Sequence, residues 1–158
     1  MKKIVLIACV SKKLDKKTKA KDLYISSLFK NSLAYAYSLN PDKIFILSAL
    51  HHLLDLDKEI EPYNVTLSNV PKKKRKVGLK VLNSQEKKEW GVKVIEMLAN
   101  QTDLKQDRFI ILAGQEYIKP ISHRLTYYEN PLEGVSLFDR IRVLKEMLNS
   151  NTFKSNNY

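Results

Sequence analysis

Glycine is scarce in this chain, with four residues in 158, and proline is little commoner at five. A backbone so seldom interrupted argues for an ordered globule with substantial helix. It also excludes a glycine-rich phosphate loop of the Walker kind, which needs several glycines in one turn. Cysteine occurs once, as Cys9, so no internal disulfide framework is available and a reducing compartment is expected. No apolar run approaches the roughly 20 residues that a membrane-spanning helix requires. The Met1-Lys-Lys start carries no signal-peptide cleavage pattern, so the expectation is a cytoplasmic protein without membrane association. Carboxylates are the last shortage, 17 against 28 lysines and arginines, for a net charge of +11.

That excess is unevenly placed. Lys72, Lys73, Lys74, Arg75, Lys76 and Lys80 fall in one stretch, and Lys12, Lys13, Lys16, Lys17, Lys19 and Lys21 in another. Either cluster would attract polyanions or phosphates, and either could equally be a solvated surface. The segment Pro71-Lys-Lys-Lys-Arg-Lys-Val77 is identical to a viral nuclear localisation signal. Coincidence, an engineered insertion and a native anion-binding loop all remain open for it.

The length suits one domain able to bury a core without metal or disulfide staples. The pattern predicts strands over residues 3–8, 44–47 and 108–113, each a continuous apolar run. Helices are predicted from Ile25, Leu28, Phe29, Leu33, Ala36 and Tyr37 with Asp22 or Ser26 as cap, from the Asn83-Ser84 cap through Trp90, Val94, Met97 and Leu98, and over residues 116–124. A last helix opens on Ser136-Leu-Phe-Asp139 as a capping box, with Phe138, Ile141, Leu144 and Leu148 as its inner stripe. The expectation is an α/β fold: residues 1–149 form a single three-layer domain with a small, mainly parallel sheet flanked by helices. A basic loop spans 68–82, and 150–158 form a polar, frayed tail. Parallel strands end on one side, so Cys9-Val-Ser-Lys-Lys, Ser48-Ala-Leu-His-His and Ala113-Gly-Gln-Glu-Tyr are expected to converge.

Each of these stretches holds candidate chemistry. Cys9, Ser11, Lys12 and Lys13 could cradle a phosphate through backbone N–H groups, a hydroxyl and ammonium charges, while a lone apolar-flanked cysteine more commonly serves packing. His51 and His52 are adjacent and His123 is remote, so no metal site is expected, and one histidine as a donor or general acid-base is the alternative to surface placement. Among Asp55, Asp57, Glu59 and Glu61, only Glu61 is followed by a proline, which favours it as a carboxylate at a pocket rim. Tyr24, Tyr63 and Tyr117 could stack a nucleobase or serve as ordinary amphipathic residues.

Taken in order, these segments resemble the DUF6884 proteins, a bacterial and phage family of unknown function. The family pattern runs Cys-Ser-Lys-Lys, Ala-x-x-Leu-Tyr-x-Ser-x-Leu-Phe, Leu-Ser-Ala-x-x-Gly-Leu-Leu, Ile-x-Pro-Tyr-Asp, Ala-Gly-x-x-Tyr and Pro-Leu-x-Gly. Here it is met by Cys9-Val-Ser-Lys-Lys13, Ala20-Lys-Asp-Leu-Tyr-Ile-Ser-Ser-Leu-Phe29, Leu47-Ser-Ala-Leu-His-His-Leu-Leu54, Ile60-Glu-Pro-Tyr-Asn64, Ala113-Gly-Gln-Glu-Tyr117 and Pro131-Leu-Glu-Gly134. His52 stands where the pattern has glycine, and the first motif carries one extra residue. Such proteins look similar to uracil-DNA-glycosylase-like α/β folds. The resemblance implies a nucleotide-like small molecule or a nucleic acid as partner, no cofactor, and chemistry at an N-glycosidic bond. Glu61 and His51 would then be catalytic, with Cys9, Ser11, Lys12, Lys13, Tyr24, Ser48, Tyr63, Gly114, Gln115 and Tyr117 around the ligand. Sequestration of a nucleotide-derived signal and DNA binding through the lysine-rich faces are the alternatives, and a homo-oligomer could form through any helix.

Overall fold

The three continuous apolar runs become adjacent strands. The computed structural model describes residues 1–156, with side chains through residue 151. Strand β1 (Lys3–Ala8) lies centrally between β2 (Lys43–Ser48) and β4 (Arg108–Leu112), and both pairings are parallel. The edges are β3 (His52–Asp55), antiparallel to β2, and β5 (Tyr127–Glu129), parallel to β4. The five-stranded order is therefore β3-β2-β1-β4-β5. The sheet is mixed, and the departure from parallel pairing is the β2–β3 hairpin.

Ile4, Val5, Leu6 and Ile7 are all buried, as a central strand covered on both faces requires. Helix α1 (Ser27–Ser38) connects β1 to β2, and α2 (Ser84–Ala99) leads from the β2–β3 hairpin back across β1 to β4. These connections run in opposite directions from β1, so right-handed crossovers put their helices on opposite faces. Helix α3 (Gln115–Ser122) packs with α2, and α4 (Arg140–Asn156) packs with α1, completing the two outer layers.

The helix starts follow local chemistry. Ser26 Oγ accepts from the Phe29 amide at 3.2 Å and caps α1. Asn83 and Glu86 form a reciprocal capping box on α2. Ser136 accepts from the Asp139 amide at the head of a 3₁₀ turn, Leu137–Asp139, that runs into α4.

Two expectations fail here. Phe138 is 94% exposed and contributes nothing to the inner stripe of α4, because the 3₁₀ turn rotates it outward before the helix begins. Helix α4 also runs through Asn156, past the expected end at residue 149. No helix among the described residues is long and apolar enough to cross a membrane.

Candidate functional site

β1 and β4 are neighbours whose outgoing chains turn to opposite faces. That divergence opens a crevice beyond their carboxyl ends, the switch point where open α/β sheets take ligands. A cleft of about 590 Å³ occupies this place. Its floor is Cys9, Leu112, Ala113 and Tyr117, and its sides are residues 10–13, the 64–70 segment and the stretch from Leu132 to Arg140. The loop after β1 is held rigidly. Ile25 N–H donates to the Lys12 carbonyl, Leu14 N–H to that of Leu23, and Lys13 bridges to Tyr24.

Three helices begin at the cleft. Ser26 and Phe29 from the start of α1, Gly114 to Glu116 from the start of α3, and Leu137 with Arg140 from the start of α4 all line it. Helices that follow parallel strands start at this edge, so their positive dipole ends converge here. No side chain caps α3, and a Cβ on Gly114 would stand 3.6 Å from both terminal nitrogens of Arg140. The Arg140 guanidinium thus lies directly against the open start of α3.

Lys12, Lys13 and Arg140 line the cleft, and none of them has a carboxylate within 4.0 Å among the described residues. Burial pushes the Lys13 ammonium below its ordinary pKa, with Cys9 acting in the opposite sense. Lys13 Nζ sits 4.4 Å from the centre of the Tyr63 ring, a cation–π contact in place of an ion pair. Glu116 is the one carboxylate of the lining, and it already accepts from Lys87 at 2.7 Å and Asn69 at 2.8 Å. On the floor, Cys9 Sγ lies 3.5 Å from the Tyr117 hydroxyl, whose pKa burial raises strongly.

A family model described as a family of unknown function, DUF6884, matches residues 4–146. The chain belongs to the DUF6884 family. Among curated proteins no match is found. Two of the segments that carry the sequence resemblance, Cys9-Val-Ser-Lys-Lys13 and Ala113-Gly-Gln-Glu-Tyr117, line the cleft throughout, and Leu132 of Pro131-Leu-Glu-Gly134 lines it too.

Of the residues named from sequence, Cys9, Ser11, Lys12, Lys13, Gly114, Gln115 and Tyr117 line the cleft. Ser48, His51, Glu61 and Tyr63, also named from sequence, do not. Ser48, Tyr63 and Tyr24 are buried in the core as a hydrogen-bonded chain, with Ser48 Oγ 2.7 Å from the Tyr63 hydroxyl and that hydroxyl 2.6 Å from Tyr24's. Trp90 Nε1 donates to the Ser48 carbonyl and the His51 amide to Ser48 Oγ, so Ser48 closes the β2–β3 turn. His51 packs edge-on against Tyr63, with ring centres 5.5 Å apart, and burial, then Lys58, lowers its pKa. Glu61 is exposed and outside the cleft lining, because the chain after β3 turns away before residue 64 returns. No group of three His, Cys, Asp or Glu side chains among the described residues is arranged to hold a metal.

Sequence reasoning passed over Arg140, Glu116 and the 64–70 wall. Arg140 carried a readable signal: a cation on the first residue of a helix opposes the dipole, and such a conflict marks a site with another purpose.

Proposed function

We propose that the cleft binds a nucleotide-like ligand, with its phosphate held between Arg140, Lys12 or Lys13 and the uncapped start of α3. The supporting observation is the convergence of three helix starts and three carboxylate-free cations on a cleft whose one carboxylate is neutralised by Lys87. Its volume lies within the range of small-molecule sites, and its apolar floor suits a base or sugar. The free Cys9 fits a reducing cytoplasm.

The glycosylase-like reading assigns the reaction to an N-glycosidic bond. Within it, Glu116 takes the place intended for Glu61, since a carboxylate must reach the sugar to stabilise cationic character. Its two existing donors reduce what it can offer, which favours binding over turnover. Calorimetry against a panel of nucleotides and nucleosides tests the binding. Arg140→Ala is expected to weaken nucleotide affinity about 10- to 100-fold while leaving nucleoside affinity unchanged, as loss of a charge-assisted phosphate contact would. Equal loss for both ligands would remove the phosphate assignment. Glu116→Gln, assayed for released base, separates an enzyme that loses turnover and keeps ligand from a protein that sequesters it.

A further inference from the structure

Phe138 and Leu137 are the anomaly left on the surface. They are 94% and 67% exposed and adjacent in the chain, and Leu137 lines the cleft together with Arg140. A helix head that needed only a cap would have no use for a bare aromatic ring. On the 64–70 wall, Arg75 Nε donates to the carbonyl of Val70 at 2.9 Å, and Val70 lines the cleft. This contact anchors the 3₁₀ turn Lys72–Lys74 and its lysines beside the opening. None of Lys72, Lys73, Lys74, Arg75 or Lys76 has a carboxylate within 4.0 Å among the described residues.

A lone nucleotide in the cleft leaves both features unused. Its phosphate requires one or two cations, which Arg140 with Lys12 or Lys13 already supplies. An aromatic face outside the cavity and a second tier of charge beyond it match a strand that continues past the bound residue. Single-stranded nucleic acid is recognised in this way, by bases stacked on aromatic rings and a backbone tracked by lysine and arginine. A duplex fits poorly, because its bases are stacked on each other and present no free face to Phe138.

Building on the nucleotide reading of the cleft, we infer that its ligand is a nucleotide carried in a single strand. One residue enters the cleft, the neighbouring base stacks on Phe138, and the backbone runs towards Arg75.

The test compares three probes on the intact chain at fixed salt: a mononucleotide, a labelled ten-residue single strand, and the same strand in duplex. The single strand is expected to bind at least tenfold tighter than the mononucleotide, with a steeper dependence on salt. Phe138→Ala, a surface change that leaves the core intact, should weaken the strand roughly 5- to 150-fold and leave the mononucleotide unaffected. Arg75→Ala should flatten the salt slope for the strand by about 0.7. Equal affinity for strand and duplex, or a Phe138→Ala variant that binds the strand as tightly as the parent, would overturn the inference. Failure of the mononucleotide to bind, with a strand that still depends on Phe138, would instead count against the free-nucleotide reading alone.

Discussion

At the scale of single residues, His52 is the position where the chain works against itself. Its φ of 67° lies in the left-handed region, at the exit of the β2–β3 turn where hairpins favour glycine. Glycine adopts this conformation without the penalty that a Cβ brings. Holding an L residue in this region costs about 1 kcal/mol, part of which glycine recovers against its greater freedom when unfolded. His52→Gly is therefore expected to stabilise the fold by about 0.5 kcal/mol near pH 7, read as a shift in urea midpoint at constant slope. The gain should grow in acid. Burial, then Lys93, lowers the His52 pKa, so the folded state prefers the neutral ring and the unfolded state binds the extra proton. The ring's contribution is thus complete above the unfolded value of about 6.5 and is lost as the pH falls below it. A midpoint difference between variant and parent that stays flat from pH 7.5 to 5 would contradict this sign.

At the scale of elements, the cleft depends on where α3 stands, and α2 sets that position. Gly91 of α2 meets the Pro120 carbonyl of α3 so closely that an added Cβ would collide with backbone. Glycine within a helix costs about 1 kcal/mol relative to alanine, so this site gives up propensity for close approach. Gly91→Ala should recover that term and lose more through overpacking, which costs about 1–3 kcal/mol in a tight interface. A net loss of about 1–2 kcal/mol is expected in denaturant melts, with weaker nucleotide binding as the start of α3 is displaced. The elements also differ in how legible they were. The three buried strands and the caps at Ser26 and Asn83 could be read, because apolar runs and local hydrogen bonds act over a few residues. The β2–β3 hairpin could not, since its left-handed residue is His52 and no glycine announces the turn. Phe138 misled for a related reason: its spacing from Ile141 and Leu144 is helical, but a 3₁₀ turn precedes the helix and changes the phase.

At the scale of the whole molecule, topology did more to reveal the site than any one motif. Parallel strand ends had to share an edge, so residues 9–13 and 113–117 could be brought together from sequence. The residues facing them depended on how the returning chain crossed that edge. Tyr63 and Ser48 went inward to satisfy each other, while Arg140 arrived from the far end of the chain. With a net charge of +11, the protein in dilute salt should respond to anions in general, and the cleft can be told from that background by linkage. A ligand at 100 times its dissociation constant stabilises the folded state by about 2.7 kcal/mol. For a chain of this size that corresponds to a rise in Tm of about 5–10 °C. The rise for a nucleotide at physiological salt should fall to about half or less in Arg140→Ala at the same concentration and persist when residues 72–76 are neutralised. The reverse pattern would assign the response to the exposed basic loop, and the cleft would lose its claim to the phosphate.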